Sequence, residues 1–105
     1  MLKQLTNDDF DTTLRESELP VLVEFWAPWC GPCRMLAGVM EDIAREYEDR
    51  LLVVGVNIDA YPDIAGRYGV TSVPTVVALV DGTECDRTVG YRPRTAFLNV
   101  IEQLI

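Results

Sequence analysis

Two apolar runs separated by a helical pattern constrain the fold of this chain most strongly. The runs are LPVLVEFW (19–26) and LLVVGVNID (51–59), and such near-continuous apolar stretches rich in Val are typical of strands covered on both faces. Strand, helix and strand with both strands buried predict a right-handed βαβ unit with a parallel strand pair. The apolar side of the intervening helix consists of Met35, Leu36, Val39, Met40, Ile43, Ala44 and Tyr47.

The second half of the chain predicts an antiparallel hairpin. In VPTVVALV-DG-TECDRTVG, the dipeptide Asp81-Gly82 separates two strand-like runs and is a strong hairpin signal. A short helix near 62–68, ended by Gly69, is expected between the second apolar run and this hairpin. The hairpin should therefore lie at one edge of a sheet whose other strands are parallel.

Amphipathic helices are predicted at both ends of the chain. The segment TNDDF resembles a capping box ahead of a first helix that carries Phe10 and Leu14. The last segment, PRTAFLNVIEQLI, opens with Pro93, which suits a first helical turn, and repeats apolar residues at helical spacing. These elements add up to one three-layer α/β domain over residues 1–105, with a mixed central sheet.

Composition and charge exclude several classes of function. With 105 residues, 49% hydrophobic and 25% charged, the chain matches one globular domain that needs neither a metal nor a disulfide to fold. A net charge of −8 repels nucleic acid and anionic membranes. No apolar run approaches the roughly 20 residues of a membrane span, and the N-terminus lacks a signal-peptide pattern. We therefore expect a soluble, cytoplasmic protein, whose Cys pair is kept mostly reduced.

Cys30 and Cys33 are the strongest chemical signal. They fall where the strand at 20–26 passes into the helix at 33–47, and Pro32 between them suits a first helical turn. Cys30 would then lie at the helix N-terminus, where unpaired N–H groups and the helix dipole favour a thiolate. We predict that Cys30 is exposed and attacks a disulfide. Cys33, shielded on the same turn, then releases the product by forming an internal disulfide.

Two other interpretations of the cysteines have less support. A zinc or iron–sulfur site generally needs four ligands, whereas the chain has no His and its remaining cysteine, Cys85, is 52 positions from Cys33. We therefore expect no metal. An inert buried pair would not need Gly, Pro and Trp around it. Cys85, in the final strand, is expected to be a small buried apolar residue, with regulatory oxidation or an intermolecular disulfide as the alternatives.

The surrounding sequence resembles the thioredoxin family. VLVEFWAPWCGPCRML is similar to the active-site segment of that family, NID to the segment after its third strand, SVPT to its proline loop, and VG at 89–90 to the loop before its last helix. The similarity covers essentially the whole chain in order, and WCGPC is highly specific. It implies the thioredoxin fold: three layers, α/β/α, around a central mixed sheet of about five strands, with four helices.

The resemblance also implies an activity, that of a thiol–disulfide oxidoreductase that reduces protein disulfides through a reversible Cys30–Cys33 pair. It implies a monomer without a tightly bound cofactor, disulfide-containing targets, and a thioredoxin reductase that restores the dithiol. Gly31 and Pro32 tune the redox pair, since the resemblance associates Gly-Pro with reducing proteins, and Trp26 tunes it or serves as plain core. An oxidant or isomerase of the same fold, and a binding subunit with incidental thiols, are the competing interpretations.

Glu24 is a carboxyl within the first apolar run, where burial should raise its pKa. The matching residue in thioredoxins is usually Asp, and the resemblance implies that Glu24 accepts and returns the proton of Cys33. A glutamate at a strand end that reaches water or a surface cation is the alternative. Gly55 stands where many thioredoxins carry a Lys, so Glu24 should lack a cation, and Gly38 replaces a helix-kinking Pro.

The resemblance assigns a substrate surface to four further residues. Thioredoxins carry a cis proline at the position of Pro74, which exposes the backbone of the preceding residue, Val73, to an extended substrate. X–Pro bonds in folded proteins are cis in only about 5–6% of cases, so this prediction rests on the resemblance. Trp29 is expected on the exposed rim, where an aromatic residue can bind a partner. Gly90 allows close approach of a substrate backbone or simply serves a turn.

Overall fold

The computed structural model describes residues 2–105, in which helices and strands alternate along most of the chain. This part of the chain contains five strands and four helices, as the resemblance implies. In chain order they are β1 (Lys3–Gln4), α1 (Phe10–Glu16), β2 (Val21–Trp26), α2 (Gly31–Glu46), β3 (Leu52–Asn57), α3 (Pro62–Arg67), β4 (Thr75–Val80), β5 (Thr83–Val89) and α4 (Arg94–Leu104).

The strands form one mixed sheet in the order β1-β3-β2-β4-β5. β3 runs parallel to β1 and to β2, whereas β4 runs antiparallel to both of its neighbours, β2 and β5. The predicted parallel unit β2-α2-β3 and the predicted edge hairpin β4-β5 are therefore confirmed. β2 lies at the centre, hydrogen-bonded on both of its edges.

Helices cover the two faces of this sheet and create two separate cores. Along β2 the side chains alternate between them, so Leu22 and Glu24 point toward α2 and α4. The core on that face contains Leu22, Leu36, Met40, Ile43, Val53, Phe97 and Ile101. The core on the other face, under α1 and α3, contains Phe10, Val21, Val23, Phe25, Val54, Val56 and Ile64.

The start of the chain differs from the prediction in two ways. The predicted capping box is half formed: Asp9 Oδ1 accepts a hydrogen bond from the Thr6 N–H at 2.7 Å, but the Thr6 hydroxyl accepts from the N–H of Asp8. Phe10 begins α1 and is fully buried, as expected of the apolar side of that helix. The short strand β1 was not predicted, because two exposed residues carry no periodic pattern.

α2 begins two residues earlier than predicted and runs without interruption from Gly31 to Glu46. Gly38, where the resembling family carries a Pro, is exposed, and a Cβ added there would meet no atom within 4 Å. The helix therefore keeps its backbone hydrogen bonds through this position. Its buried side, which faces the sheet, consists of Cys33, Leu36, Met40 and Ile43.

The hairpin turn places Asp81 and Gly82 in the left-handed region, with φ of 52° and 77°. Two successive residues with positive φ are the requirement of the type I′ turn, whose twist matches that of the flanking strands. Gly82 adopts this conformation without steric cost because it has no Cβ. The Asp-Gly hairpin prediction is therefore confirmed by the backbone conformation.

We expect Gly82→Ala to lower the free energy of unfolding by about 1 kcal/mol, because an added Cβ strains the backbone at positive φ. The added atom meets nothing within 4 Å, so no steric clash contributes. Gly66→Ala is the matched control: Gly66 lies in α3 with an equally open Cβ position, and alanine should stabilise it by up to about 1 kcal/mol. Urea denaturation measures both changes. A loss of stability in both variants would contradict the role of the positive φ.

Candidate active site

Cys30 and Cys33 lie at the N-terminus of α2, directly after the loop that follows β2. Cys30 is the N-cap residue, and its sulfur accepts a hydrogen bond from the Cys33 N–H at 3.2 Å. The two sulfurs are joined in a disulfide, with the Cα atoms 5.3 Å apart. Pro32 lies in the first turn, where its missing N–H has no intrahelical partner to lose. The predicted geometry, with both sulfurs on one helical turn, is confirmed.

The exposure predicted for Cys30 is wrong for this disulfide form. Only 4% of Cys30 and 2% of Cys33 is exposed. The Cys30 sulfur is turned inward because it both caps the helix and bonds to Cys33. The pair forms a small cluster with Ala27, and the partly buried side chains packed against it are those of Trp26, Ile58 and Val73.

Glu24 is 2% exposed, although it carries a carboxyl group. It pairs with Gly55 of β3 and Val76 of β4, so its own backbone is enclosed within the sheet. Its Oε2 atom is buried without a hydrogen-bond partner. Burial raises the pKa of Glu24 to about 7, and the negative charge of Glu41 adds to this effect. The alternative of a strand-end glutamate that reaches water or a surface cation is therefore wrong.

Glu24 and Cys33 both line an apolar cavity of about 320 Å³. The buried acid and the second cysteine therefore border the same space. In such an apolar space the ionised form of the acid is poorly solvated, in agreement with its raised pKa. The remaining lining residues are Leu2, Gln4, Trp26, Ala27, Pro28, Arg34, Ala37 and Glu41.

Gln4 is a site residue that the sequence did not indicate. Its side chain lies over Gly55, where an added Cβ would be only 2.5–2.9 Å from the Gln4 amide group. Its Oε1 atom accepts a hydrogen bond from Trp26 Nε1 at 2.8 Å. The space beside Glu24 is thus occupied by a neutral amide, which supplies no positive charge to the buried carboxyl.

The predicted substrate residues lie together beside the cysteines. The Val73–Pro74 bond is cis, as predicted, and Val73 packs against the cysteine cluster. The N–H of Gly90 donates to the carbonyl of Pro74 at 2.7 Å, and Gly90 has a φ of 85°, which explains the need for glycine in this loop. Trp29 is 68% exposed, and its Nε1 donates to Asp59 Oδ2 at 3.1 Å, a partner that sequence reasoning missed.

Cys85 is exposed, so the prediction of a small buried apolar residue is wrong. β5 is an edge strand, and its register shifts at a bulge: Ala78 pairs with Asp86 and Leu79 with Glu84, which leaves Cys85 unpaired between them. The cysteine sulfur is within 3.6 Å of the Ala78 carbonyl oxygen. The polar composition of TECDRTV was the signal that this strand is not covered on both faces.

The described residues include no group of three or more His, Cys, Asp or Glu side chains placed to hold a metal ion. None of the described helices is long and apolar enough to cross a membrane.

Two cysteines bonded across the first turn of a helix serve thiol–disulfide exchange, so the fold and the site define a thiol–disulfide oxidoreductase. A family model described as thioredoxin matches residues 1–103. Thioredoxin 1 of Synechococcus elongatus is 46% identical over 94% of this chain and 92% of its own length. The thioredoxin of Griffithsia pacifica is 44% identical over 97% of this chain and 94% of its own length. A chloroplastic M-type thioredoxin of Chlamydomonas reinhardtii is 41% identical over 96% of this chain and 72% of its own length.

The chain therefore belongs to the thioredoxin family. It is a protein-disulfide reductase that works through the dithiol and disulfide forms of neighbouring cysteines, and a reductase recycles it, as is general for the family. Cys30 and Cys33 stand at disulfide distance in the WCGPC motif, where this activity requires them.

The raised pKa of Glu24 predicts a pH dependence of stability. Between the ordinary value of 4.5 and about 7 the folded state binds more protons than the unfolded state, so the free energy of unfolding should fall as pH rises through this window and level off above it. The total effect of this group is at most about 3 kcal/mol. Glu24→Gln should remove this part of the pH dependence, as chemical denaturation at a series of pH values can measure.

The exposed carboxyl of Glu18 offers a matched control, because Glu18→Gln removes the same charge from the surface. It should retain the pH dependence of the wild type. An unchanged pH dependence in Glu24→Gln would show that the carboxyl has the same pKa in the folded and unfolded states, against the effect of its burial.

Proposed function

We propose that Cys30 is the attacking thiol of this reductase and that Cys33 resolves the intermediate. The Cys30 thiolate attacks one sulfur of a target disulfide, forms a mixed disulfide, and releases the other target sulfur as a thiolate. Cys33 then attacks the Cys30 sulfur, which breaks the mixed disulfide and releases the second target thiol. Two electrons pass from the dithiol to the target, and Cys30–Cys33 is left oxidised.

The observation that carries this proposal is the hydrogen bond from the Cys33 N–H to the Cys30 sulfur at 3.2 Å. A backbone donor and the positive end of α2 both stabilise negative charge on the Cys30 sulfur. Cys33 lies within the helix, where its own N–H is already used in this bond. The same interaction stabilises Cys30 as the leaving thiolate when the mixed disulfide is resolved.

Glu24 is proposed as the proton relay for Cys33. A thiol must lose its proton before it attacks, and a carboxyl whose pKa is about 7 is present in both protonation states near neutral pH. Glu24 and Cys33 line one cavity, which supports a proton transfer between them. The two groups then titrate as a coupled pair in the reduced protein.

The target is proposed to bind across Trp29, Val73, Pro74 and Gly90. The exposed indole of Trp29 offers apolar area to a partner, and the cis peptide turns the backbone of Val73 beside the cysteines. Gly90 has no side chain to block an extended target backbone, and its N–H is held by Pro74. An extended segment on either side of the target cysteine fits this surface.

Three residues are proposed to tune the redox pair. Gly31 and Pro32 form the first turn of α2 between the two cysteines, and Pro32 contributes no N–H, so it limits the donors available to the Cys30 sulfur. Trp26 packs against the cysteine cluster and is held in place by Gln4. Its bulk keeps water from the cysteines and so strengthens the electrostatic interactions there.

We further propose a single domain over residues 1–105 that works as a monomer in the cytoplasm. The proposed partners are disulfide-containing proteins and a thioredoxin reductase, without a membrane and without a cofactor beyond the Cys30–Cys33 disulfide. A reducing compartment supports this assignment, because it keeps the dithiol available. The chloroplastic names of some relatives favour another compartment for those proteins. Cell fractionation and sedimentation would test compartment and oligomeric state.

We expect Cys33→Ser to accumulate mixed disulfides with target proteins through Cys30, because the resolving thiol is absent. The experiment requires a Cys85→Ala background, since Cys85 is exposed and could form disulfides of its own. Non-reducing electrophoresis with mass spectrometry identifies the bonded residue. Cys30→Ser in the same background is the control and should trap far less. Trapping by Cys30→Ser but not by Cys33→Ser would reverse the assigned roles.

We expect Glu24→Gln to slow disulfide reduction by roughly ten-fold or more, because an amide cannot accept the Cys33 proton. Insulin reduction coupled to a reductase measures the overall rate. Stopped-flow measurement of the resolving step shows whether that step is the one that is slowed. Glu24→Asp is the conservative variant, and it should recover most of the rate because it keeps a carboxyl in the cavity. A full rate in Glu24→Gln would remove Glu24 from the mechanism.

A further inference from the structure

The arginines of this acidic chain fall into two groups. The chain has 9 Lys and Arg against 17 Asp and Glu, so nearby acids are available to most cations. Three described arginines, Arg15, Arg34 and Arg92, nevertheless have no carboxylate within 4 Å among residues 2–105. Arginines that do have such a partner are Arg45, Arg50, Arg67, Arg87 and Arg94.

Arg34 places its guanidinium group at the cysteine loop. Its Nη1 donates to the Pro28 carbonyl oxygen at 3.1 Å, and its Nη2 lies 3.9 Å from the position that a Cβ on Gly31 would occupy. The side chain is exposed. One of the five guanidinium donors is therefore fixed on the backbone, and the others are directed toward solvent beside the redox motif.

Arg92 places a second guanidinium group at the loop that contacts the cis proline. Its Nη1 donates to the Tyr91 carbonyl at 3.1 Å and lies 3.7 Å from the position of a Cβ on Gly90. Gly90 is in turn hydrogen-bonded to Pro74. Arg92 is exposed, and like Arg34 it is anchored by one backbone carbonyl with the rest of its donors available.

We propose that Arg34 and Arg92 form a carboxylate-binding rim that selects target disulfides flanked by acidic residues. This inference rests on the proposed function, since it names the class of substrate for the same site. A guanidinium binds a carboxylate through two parallel hydrogen bonds, and an anchored side chain loses less rotamer freedom when it does so. Disulfide reduction by itself does not require particular residues beside the target cysteine. The two arginines would add a preference for acidic ones.

The charges around the rim determine whether it prefers acidic or basic target residues. Asp59 is held against Trp29 and disfavours an acidic target residue near the indole. Glu41 lines the same cavity as Arg34 and adds a negative charge on that side. The net charge of −8 repels an acidic target at long range, but this repulsion is screened beyond about 8–10 Å at physiological salt. At contact, short-range interactions determine the preference, and the proposal assigns the larger share of them to the guanidinium groups of Arg34 and Arg92.

The test uses three disulfide-bridged peptides that differ only in the residues flanking one cysteine: two Glu, two Gln or two Lys. We expect the second-order rate constant of reduction to follow the order Glu, Gln, Lys, with the Glu peptide on the order of five-fold faster than the Gln peptide at low salt. The difference should shrink in about 0.5 M salt because screening weakens exposed ion pairs.

The double variant Arg34→Gln, Arg92→Gln should bring the ratio of the Glu to the Gln rates close to one, whereas Arg34→Lys with Arg92→Lys should retain part of it. Arg15→Gln is the matched control. Arg15 is exposed on α1 and likewise has no carboxylate within 4 Å among residues 2–105. Its substitution changes the net charge by one unit, so it is compared with the single variants Arg34→Gln and Arg92→Gln, each of which changes the charge by the same amount. Arg15→Gln should keep the wild-type ratio, and unfolding curves of each variant verify that it folds.

Three results would overturn the inference: equal rates on all three peptides, faster reduction of the Lys peptide, or an equal loss of preference in Arg15→Gln. The last would show that net charge alone determines the order. These failures differ from failure of the proposed function. If the wild type reduces all three peptides at one rate, only the acidic preference is wrong, whereas reduction of none of them would reject both.

Discussion

The pairing of β2 with β3 on one edge and β4 on the other is the constraint on which the site depends. Because β2 is hydrogen-bonded along both edges and covered on both faces, its side chains have fixed positions. Glu24 is held between Gly55 and Val76 and is only 2% exposed, and its direction toward α2 follows from the alternation along the strand. The loop that leaves β2 then delivers Cys30 to the start of α2. A shift of β2 by one residue would turn the carboxyl to the wrong face of the sheet.

The buried carboxyl destabilises the fold locally, and the proposed proton relay would make use of it. A carboxyl with an unpaired, buried Oε2 lowers stability when it ionises, and a protein selected for stability alone would place an apolar residue there. Gln4 covers Gly55 with a neutral amide, so no cation compensates the charge at this point. The result is a group that changes protonation state near neutral pH beside a sulfur that must lose and regain a proton. The hydrophobic cores on both faces of the sheet compensate for the stability that is lost at Glu24.

The sequence allowed the prediction of those elements whose signals are local. The two apolar runs, the helical spacing between them and Asp81-Gly82 each fall within a few residues of one another, and the corresponding elements were confirmed. β1 and the role of Gln4 were missed because Gln4 contacts Trp26, 22 positions away along the chain. No periodic pattern in the sequence indicates such a contact. Cys85 was assigned to a covered strand because an edge strand and its bulge depend on the partner strand, which the sequence of β5 does not contain. The cis bond at Pro74 rested on the resemblance alone.

In the proposed mechanism, the chemistry and the recognition of targets depend on different parts of the fold. The sulfur and carboxyl groups come from β2 and the start of α2, are almost fully buried, and belong to one short motif in the sequence. The surfaces available to a target come from loops: Trp29 before α2, Val73 and Pro74 before β4, and Arg92 after β5. In the disulfide form Cys30 is only 4% exposed, so most of the area that a partner contacts is not sulfur. Loop residues can therefore change the choice of partner without disturbing the buried pair, whereas a change within β2 alters the chemistry for every partner.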